Sequence, residues 1–313
     1  MGNFPENDTY YKTEKIGNVT LDLTYYSGVD TYSDGDEIEE RILKIVKEGN
    51  YEFSHKEYSN WAVLYHLSRQ RENITEPMRI NKDDEVLEIG AGMGAVTGAV
   101  AAKARFVDCI ELSKRRSTIN AVRHQNMDNI KIFVGNFQDI PIEKKYDVVT
   151  LIGVFEYAYY YIDSKEPYME LLKKIYGCLK PGGRIYIAIE NRLGMKYFAG
   201  YHEDHTGVPF SGIEGYDKDD KVRTFTKSQL KNMLAESGFD NTVFYYPFPD
   251  YKLPTVIYNE DTIHNMTVEY AEKSNYDADV VVGFNQVKAF QSLKGTEEIS
   301  IFANSFLIEA VVP

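Results

Sequence analysis

From Asp84 onward the chain alternates strand-like and helix-like segments so regularly that few folds remain open. Short runs rich in Val and Ile at 85–89, 106–111, 129–134, 146–152 and 183–190 read as strands buried on both faces. Helical patterns at 95–103, 114–124 and 168–179 fall among them. That order predicts a parallel sheet covered by helices on both sides, a three-layer α/β/α arrangement. A further helix starts at Thr226, where Gln229 three residues on completes a capping box. Leu230, Met233 and Leu234 give this helix its apolar stripe, and Gly238 closes it. Two last strands are expected at 242–246 and 299–311, for a seven-stranded, mostly parallel sheet whose final strand is antiparallel.

Around this core the chain divides into an N-terminal extension or cap at 1–75, a core at 76–246, an insert at 247–297 and a final strand at 298–313. The extension is aromatic and acidic and carries helical patterns at 38–47 and 61–71. The insert opens with Pro247, Pro249 and Pro254 and is longer than an ordinary connection, so it is expected to serve as a lid or substrate-side element. No apolar run reaches the ~20 residues of a membrane helix. The first residues lack the basic start and apolar stretch of a secretory leader, so the expected location is the cytoplasm. Cys109 and Cys178 read as buried, unpaired thiols. A net charge of −13 opposes the binding of polyphosphates, favouring a small or neutral ligand over DNA or RNA. The densest basic run, Lys114, Arg115 and Arg116, reads as a solvated helix start.

The strongest local motif is VLEIGAGMG at 86–94, where a strand runs into a helix. Gly90, Gly92 and Gly94 let the backbone turn sharply and approach a ligand closely. Glu111, 21 residues after Gly90 and at the tip of the second strand, is set to accept both hydroxyls of a ribose. These features also suit a dinucleotide-binding dehydrogenase. Three others separate the two readings: Glu88 ahead of the glycines, GNFQDIP after the third strand, and LLKKIYGCLKPGGRIYIAI. With them the chain resembles the class I, Rossmann-like S-adenosylmethionine-dependent methyltransferases from about residue 84 to residue 246.

That resemblance implies S-adenosylmethionine as cofactor and S-adenosylhomocysteine as product. Gly90, Ala91 and Gly92 would lie against the amino acid part of the cofactor, with Glu88 near its ammonium group. Glu111 would hold the ribose and Leu112 the adenine face. Asn136 stands where the family usually has an aspartate facing the adenine amino group, and its amide oxygen can accept the same bond without charge. Phe137 would flank the ring and Gly153 would sit beside the sulfonium. Glu156 and Tyr157 would enter the active site. A narrower resemblance, carried by ENRLGMKYFAGYHEDHTG, SGIEGY, RTFTKSQL, FYYPFPDYKLP and FANSFLIEA, is to a bacterial subgroup that accompanies cell-surface polysaccharide biosynthesis.

An acceptor hydroxyl needs a base, and the loop after the fifth strand holds the densest polar set. His205 is the expected base, oriented by Asp204 or Glu203, with His202 as the alternative. HEDH is also a tract that suits metal, although adjacent ligands on one loop make a poor cage and no metal is expected. Asn191 and Tyr197 are expected to contact the acceptor, and Arg192 and Arg223 to hold an anionic group on it. The function expected is O-methylation of a carbohydrate or other polar small molecule, without nucleic acid or membrane insertion; a homodimer is entertained as the assembled state. A catalytically silent cofactor-binding partner of a biosynthetic assembly and an NAD-dependent dehydrogenase are the alternatives.

Overall fold

The computed structural model describes residues 12–49, 60–267 and 279–313. Its strands are β1 (Thr13–Ile16), β2 (Val19–Asp22), β3 (Glu85–Ile89), β4 (Phe106–Glu111), β5 (Ile130–Val134), β6 (Tyr146–Ile152), β7 (Leu179–Glu190), β8 (Asp240–Phe248), β9 (Val256–Asn259) and β10 (Ser305–Val311). They form one sheet in the order β1-β2-β5-β4-β3-β6-β7-β10-β8-β9. The main helices are α1 (Asp36–Glu48), α2 (Trp61–Leu67), α3 (Thr97–Lys103), α4 (Lys114–Arg123), α5 (Pro167–Cys178), α6 (Lys227–Glu236) and α7 (Gln286–Ser292).

Strict alternation along the central strands feeds two apolar layers. Leu87, Val149, Leu151, Ile185, Ile187 and Ile308 join one cluster, together with Leu172 of α5, Leu230 of α6 and Phe290 of α7. Val86, Val107, Val148, Tyr186, Ala188 and Leu307 join the other, with Val100 of α3 and Ala121 of α4. Side chains of a strand point to opposite faces in turn, so a run apolar at every position can only be buried on both. The Rossmann-like methyltransferase fold expected from the alternation is present, with β10 antiparallel to both β7 and β8.

The sheet has ten strands, not seven. The seven expected strands form its middle, and the additions lie at both edges. The N-terminal extension, expected to be helical, contributes the β1–β2 hairpin, whose second strand pairs in parallel with β5. The signal was a two-residue turn at Gly17 and Asn18, the hairpin type that accepts positive φ. Gly17 lies against the end of α4: a Cβ there would stand 2.3 Å from the carbonyl oxygen of Gln125, and the Asn18 N–H donates to that oxygen at 2.8 Å. At the other edge the insert supplies β9, antiparallel to β8. The last strand starts later than expected, at Ser305, because residues Glu298–Ile301 form a helical turn. The second helical pattern is also shorter, with α2 giving way to a 3-10 segment at Arg69–Thr75. No helix among the described residues is long and apolar enough to cross a membrane.

Helix starts follow local chemistry. The capping box at Thr226 forms as expected, with the Gln229 N–H donating to Thr226 Oγ1 and the Thr226 N–H donating to Gln229 Oε1. α4 is capped twice: Ser113 accepts from the Arg116 N–H, and the Asp30 carboxylate accepts from the N–H groups of Lys114 and Arg115 at 2.7 and 3.2 Å. An anion at a helix start is favoured by the exposed N–H groups there, so this bond anchors the N-terminal segment to the core.

At the far end of α4, His124 is buried beneath α3, where a Cβ on Gly98 would lie 2.6 Å from its Nε2. Burial, reinforced by Arg123, lowers its pKa to about 4. The unfolded chain therefore takes up this proton near its ordinary value of 6.5 while the folded chain resists until about 4. The stability held by the neutral ring is full above pH 6.5 and declines as the pH falls toward 4. His124→Gln is expected to reduce the drop in thermal midpoint between pH 7.5 and 4.5 relative to the parent chain; equal drops in the two proteins would contradict this origin.

Candidate active site

β3 lies between β4 and β6, the point at which strand order reverses and the loops that leave the strand tips diverge. A cavity of about 550 Å³ opens there. Its floor is the turn after β3. Gly90, Gly92 and Gly94 all have positive φ, at 73, 55 and 78°. The N–H groups of Gly90 and Ala91 both donate to the Ile110 carbonyl, at 2.8 and 3.1 Å. Glu111 ties the turn to the start of α4: Oε2 accepts from the Gly92 N–H at 2.8 Å and Oε1 from the Ser113 N–H at 2.9 Å. Each carboxylate oxygen keeps a second acceptor site for a ligand. A Cβ on Gly90 would stand 2.4 Å from Val154 Cγ2, whereas one on Gly92 would meet only Arg116 Nη2, at 3.6 Å. Gly92 thus leaves a cradle that a ligand can enter. Glu88 is buried beside it, with its pKa raised to about 7, chiefly by desolvation.

The extension supplies an aromatic and cationic wall. The Arg116 guanidinium lies 4.7 Å from the centroid of the Tyr32 ring and 3.5 Å from Asp34 Oδ2, which in turn meets His66 Nε2 at 2.7 Å. Arg71 stacks at 4.2 Å on Tyr65 and donates to the Lys252 carbonyl at 3.0 Å. Arg116, expected to belong to a solvated face, is therefore buried in the cavity, while Lys114 and Arg115 remain partly exposed. The difference arises because its partners lie some eighty residues upstream, beyond any local pattern.

The remaining wall is an ionic network. His205 is clasped by Glu203, whose Oε1 lies 3.0 Å from Nδ1 and whose Oε2 accepts from the His205 N–H at 2.8 Å. Its Nε2 stands 3.8 Å from Glu156 Oε1 and 3.9 Å from Glu190 Oε2. Burial alone would lower the His205 pKa; Glu190, Glu203 and Glu156 outweigh it and raise the value to about 9. Burial and then Glu190 push Glu156 up to about 8. The neighbouring acids favour the charged imidazole, whereas burial and a like charge disfavour the charged carboxylate. Beside them Lys196 contacts Asp204 and Asp250 at 2.7 and 3.0 Å, and Lys252 contacts Glu190 and Asp204.

Of the residues singled out in the sequence, Glu88, Gly90, Ala91, Gly92, Glu111, Leu112, Asn136, Phe137, Gly153, Glu156, Tyr157, Asp204 and His205 line this cavity. Gly94 does not; it lies behind the turn, where a Cβ would meet the Asn120 side chain at 2.4 Å. Asn136 lends its oxygen to the Gln138 N–H and donates to the Tyr161 carbonyl. Four residues expected to contact the acceptor lie outside the cavity lining. Asn191 is a latch, donating to the carbonyls of Ile301 and Ala303; Tyr197 donates to Asp204 at 2.6 Å. Arg192 is bound to the Gly212 carbonyl, and Arg223 to those of Asp217 and Asp220. His202 also stands off the cavity, in an isolated bridge with Pro209. Asp204 answers to the two lysines, so Glu203 is the carboxylate that orients His205. Glu190 belongs to the polar set of the loop after the fifth strand but carries no role in the sequence reading, and Asp250, Tyr251 and Lys252 are not singled out there as site residues. FPDYKLP belongs to one of the motifs of the narrower resemblance, but nothing local links it to a glutamate 62 positions earlier.

A family model for a methyltransferase domain matches residues 87–185. The chain is similar to Bacillus subtilis YrhH, whose name describes a methyltransferase: 30% identity over 136 residues, 42% of this chain and 72% of that one. Ribosomal RNA small subunit methyltransferase A of Fusobacterium nucleatum is 22% identical over 195 residues, 62% of this chain and 71% of its own. Among solved structures, the complex of the Haloferax volcanii Trm112 methyltransferase activator with a methyltransferase overlays with a TM-score of 0.50 at 16% identity, covering 82% of this chain and 96% of that chain. Haemonchus contortus phosphoethanolamine N-methyltransferase 1, solved with phosphoethanolamine and S-adenosylhomocysteine, overlays with a TM-score of 0.50 at 15% identity, covering 89% and 49% respectively. These overlays bear on the fold.

The two glycines nearest the ligand cradle separate strain from collision. Gly92→Ala is expected to cost about 1 kcal/mol, the penalty of a Cβ at positive φ. Gly90→Ala adds the clash with Val154 and is expected to cost roughly 2–4 kcal/mol. Denaturant unfolding of the two variants measures the gap; equal losses would contradict the packing described.

Proposed function

The chain belongs to the S-adenosylmethionine-dependent methyltransferases, and from that premise we propose that it methylates a hydroxyl of a carbohydrate or similar polar small molecule. S-Adenosylmethionine supplies an electrophilic methyl group on a sulfonium. The residues present fit it: the Gly92 cradle is open where a Cβ would stand, and Glu111 keeps acceptor sites beside it. We assign Glu111 and Leu112 to the adenosine end, Asn136 and Phe137 to the base, and the Gly90–Gly92 turn with Glu88 to the amino acid end.

The observation that carries the reading is that His205 and Glu156 line the same cavity as the glycine turn, with Glu190 3.9 Å from His205 Nε2. Methyl transfer to a hydroxyl asks the protein to hold the acceptor in line, exclude water and dispose of one proton. A buried imidazole fixed by Glu203 at Nδ1 presents Nε2 between two carboxylates. With its pKa raised to about 9 it takes the proton only in its neutral form, so transfer is expected to quicken as the pH rises toward 9. The carboxylates that crowd this wall oppose an anionic acceptor group. Arg192 and Arg223 are committed to backbone carbonyls elsewhere, which further disfavours one. With a net charge of −13, a small acceptor is favoured over RNA. The choice of carbohydrate rests on the likeness to the polysaccharide-associated subgroup, and with it we propose a cytoplasmic setting. The insert at 247–297 brings Asp250, Tyr251 and Lys252 to the cavity, which supports its role as a substrate-side element.

Incubation with S-adenosylmethionine and a panel of sugars, nucleotide sugars and RNA, read by mass spectrometry, is expected to give a methyl ether on a carbohydrate. Methylated RNA, or tight S-adenosylhomocysteine binding without any product, would overturn the proposal. His205→Ala is expected to lower kcat by roughly 100-fold or more with S-adenosylhomocysteine affinity preserved. His202→Ala is expected to retain activity.

A further inference from the structure

We infer that Glu156, Glu190 and His205 form a binding site for one divalent metal ion, of the Mn²⁺ or Zn²⁺ type, placed to receive the acceptor hydroxyl. This rests on the reading of the cavity as an acceptor site. One ligand atom from each residue lies within 4.8 Å of the other two. The separations of 3.8 and 3.9 Å from His205 Nε2 to the two carboxylates are too long for hydrogen bonds. They are the spacing expected around a shared ion, since atoms bound at 2.0–2.2 Å stand about 3–4 Å apart.

A second observation points to the same occupant. Glu156 and Glu190 are 1% and 0% exposed, and Oε2 of each is buried with no hydrogen-bond partner. Buried carboxylate oxygens are ordinarily satisfied, and each exception calls for a group to fill it. Lys252 engages Glu190 at Oε1 and leaves Oε2 to the trio. Charge points the same way. The network holds five acids (Glu156, Glu190, Glu203, Asp204 and Asp250) against Lys196, Lys252 and His205. A divalent cation placed among these acids relieves the excess.

The donor set selects the type of ion. One imidazole with two carboxylates suits Mn²⁺ or Zn²⁺ better than Ca²⁺ or Mg²⁺, which favour cages made wholly of oxygen. Three protein ligands leave positions open for an exogenous oxygen. A hydroxyl bound there is acidified; its proton leaves to water and the electron pair stays on oxygen. His205 then acts as ligand, with Glu203 at Nδ1 in the orienting position typical of metal-bound histidine. Of the HEDH tract only His205 takes part, and the carboxylate partners come from the 3-10 turn Phe155–Tyr157 after β6 and from the end of β7.

The test is calorimetry of the chelator-treated full chain with MnCl₂ and with ZnCl₂, together with electron paramagnetic resonance of bound Mn²⁺. One equivalent of one of these ions is expected to bind. Glu156→Gln and His205→Ala are each expected to weaken binding by roughly 100-fold. S-Adenosylhomocysteine affinity, unchanged in both, reports that the variants are folded, and Glu190→Gln serves if either is not. Absence of a stoichiometric site in the parent chain, or equal affinity in the variants, would overturn the site. Undiminished methyl transfer after chelation would overturn its role and leave the transferase reading intact. Stoichiometric metal without any methylated carbohydrate would support the site while removing the acceptor proposed above.

Discussion

The carboxylate of Glu111 is the joint on which the site depends. One oxygen holds the Gly92 N–H and the other the Ser113 N–H, so a single side chain at the tip of β4 fixes the turn after β3 against the start of α4. Without that clamp a loop containing three positive-φ glycines would have little to hold its shape, because glycine surrenders more backbone freedom on ordering than any other residue. The same oxygens are half used and can accept again. The architecture of the turn and the proposed ribose contact thus fall on one group, which is placed by the parallel pairing of β3 with β4.

A second constraint governs the opposite wall. Withdrawing carboxylates from water is costly unless they are paired and hydrogen-bonded. Asp204 and Asp250 meet this requirement through Lys196 and Lys252, and their pKa values fall because of those lysines despite burial. Glu203 meets it through His205 and the N–H of Thr206. Glu156 does not, and its pKa rises with burial. Unbalanced charge in a cavity wall is a common mark of a working site, where groups are held ready for a ligand that is absent from the folded chain alone.

Much of the frame was legible in the residues. β3, β4 and β6 occupy the spans that apolar periodicity and β-branched content suggest, because a strand buried on both faces tolerates almost nothing else. The glycine turn and Glu111 were legible for a related reason: positive φ and a capped strand tip each restrict residue type. The edge strands were not, since TEKI and VTLD are four-residue pieces with an exposed first strand and weak patterning. Nor was the ionic wall, where Glu190, His205 and Lys252 meet only because β7, its following loop and the insert converge. His205 stood out as a histidine in a polar loop, but Asp204 and Glu203 were interchangeable until the loop was folded. Arg192, Arg223 and Asn191 show the converse, since polar residues on a loop near a site serve as readily to hold its backbone.

The central claim is that the glycine turn and the wall formed by Glu156 and His205 are two ends of one ligand cavity. A crystal structure of the chain with S-adenosylhomocysteine tests it most directly. The account predicts the ribose hydroxyls on Glu111 and the sulfur turned toward the wall that carries His205. Density for the ligand elsewhere, or with its sulfur facing away from that wall, would contradict it.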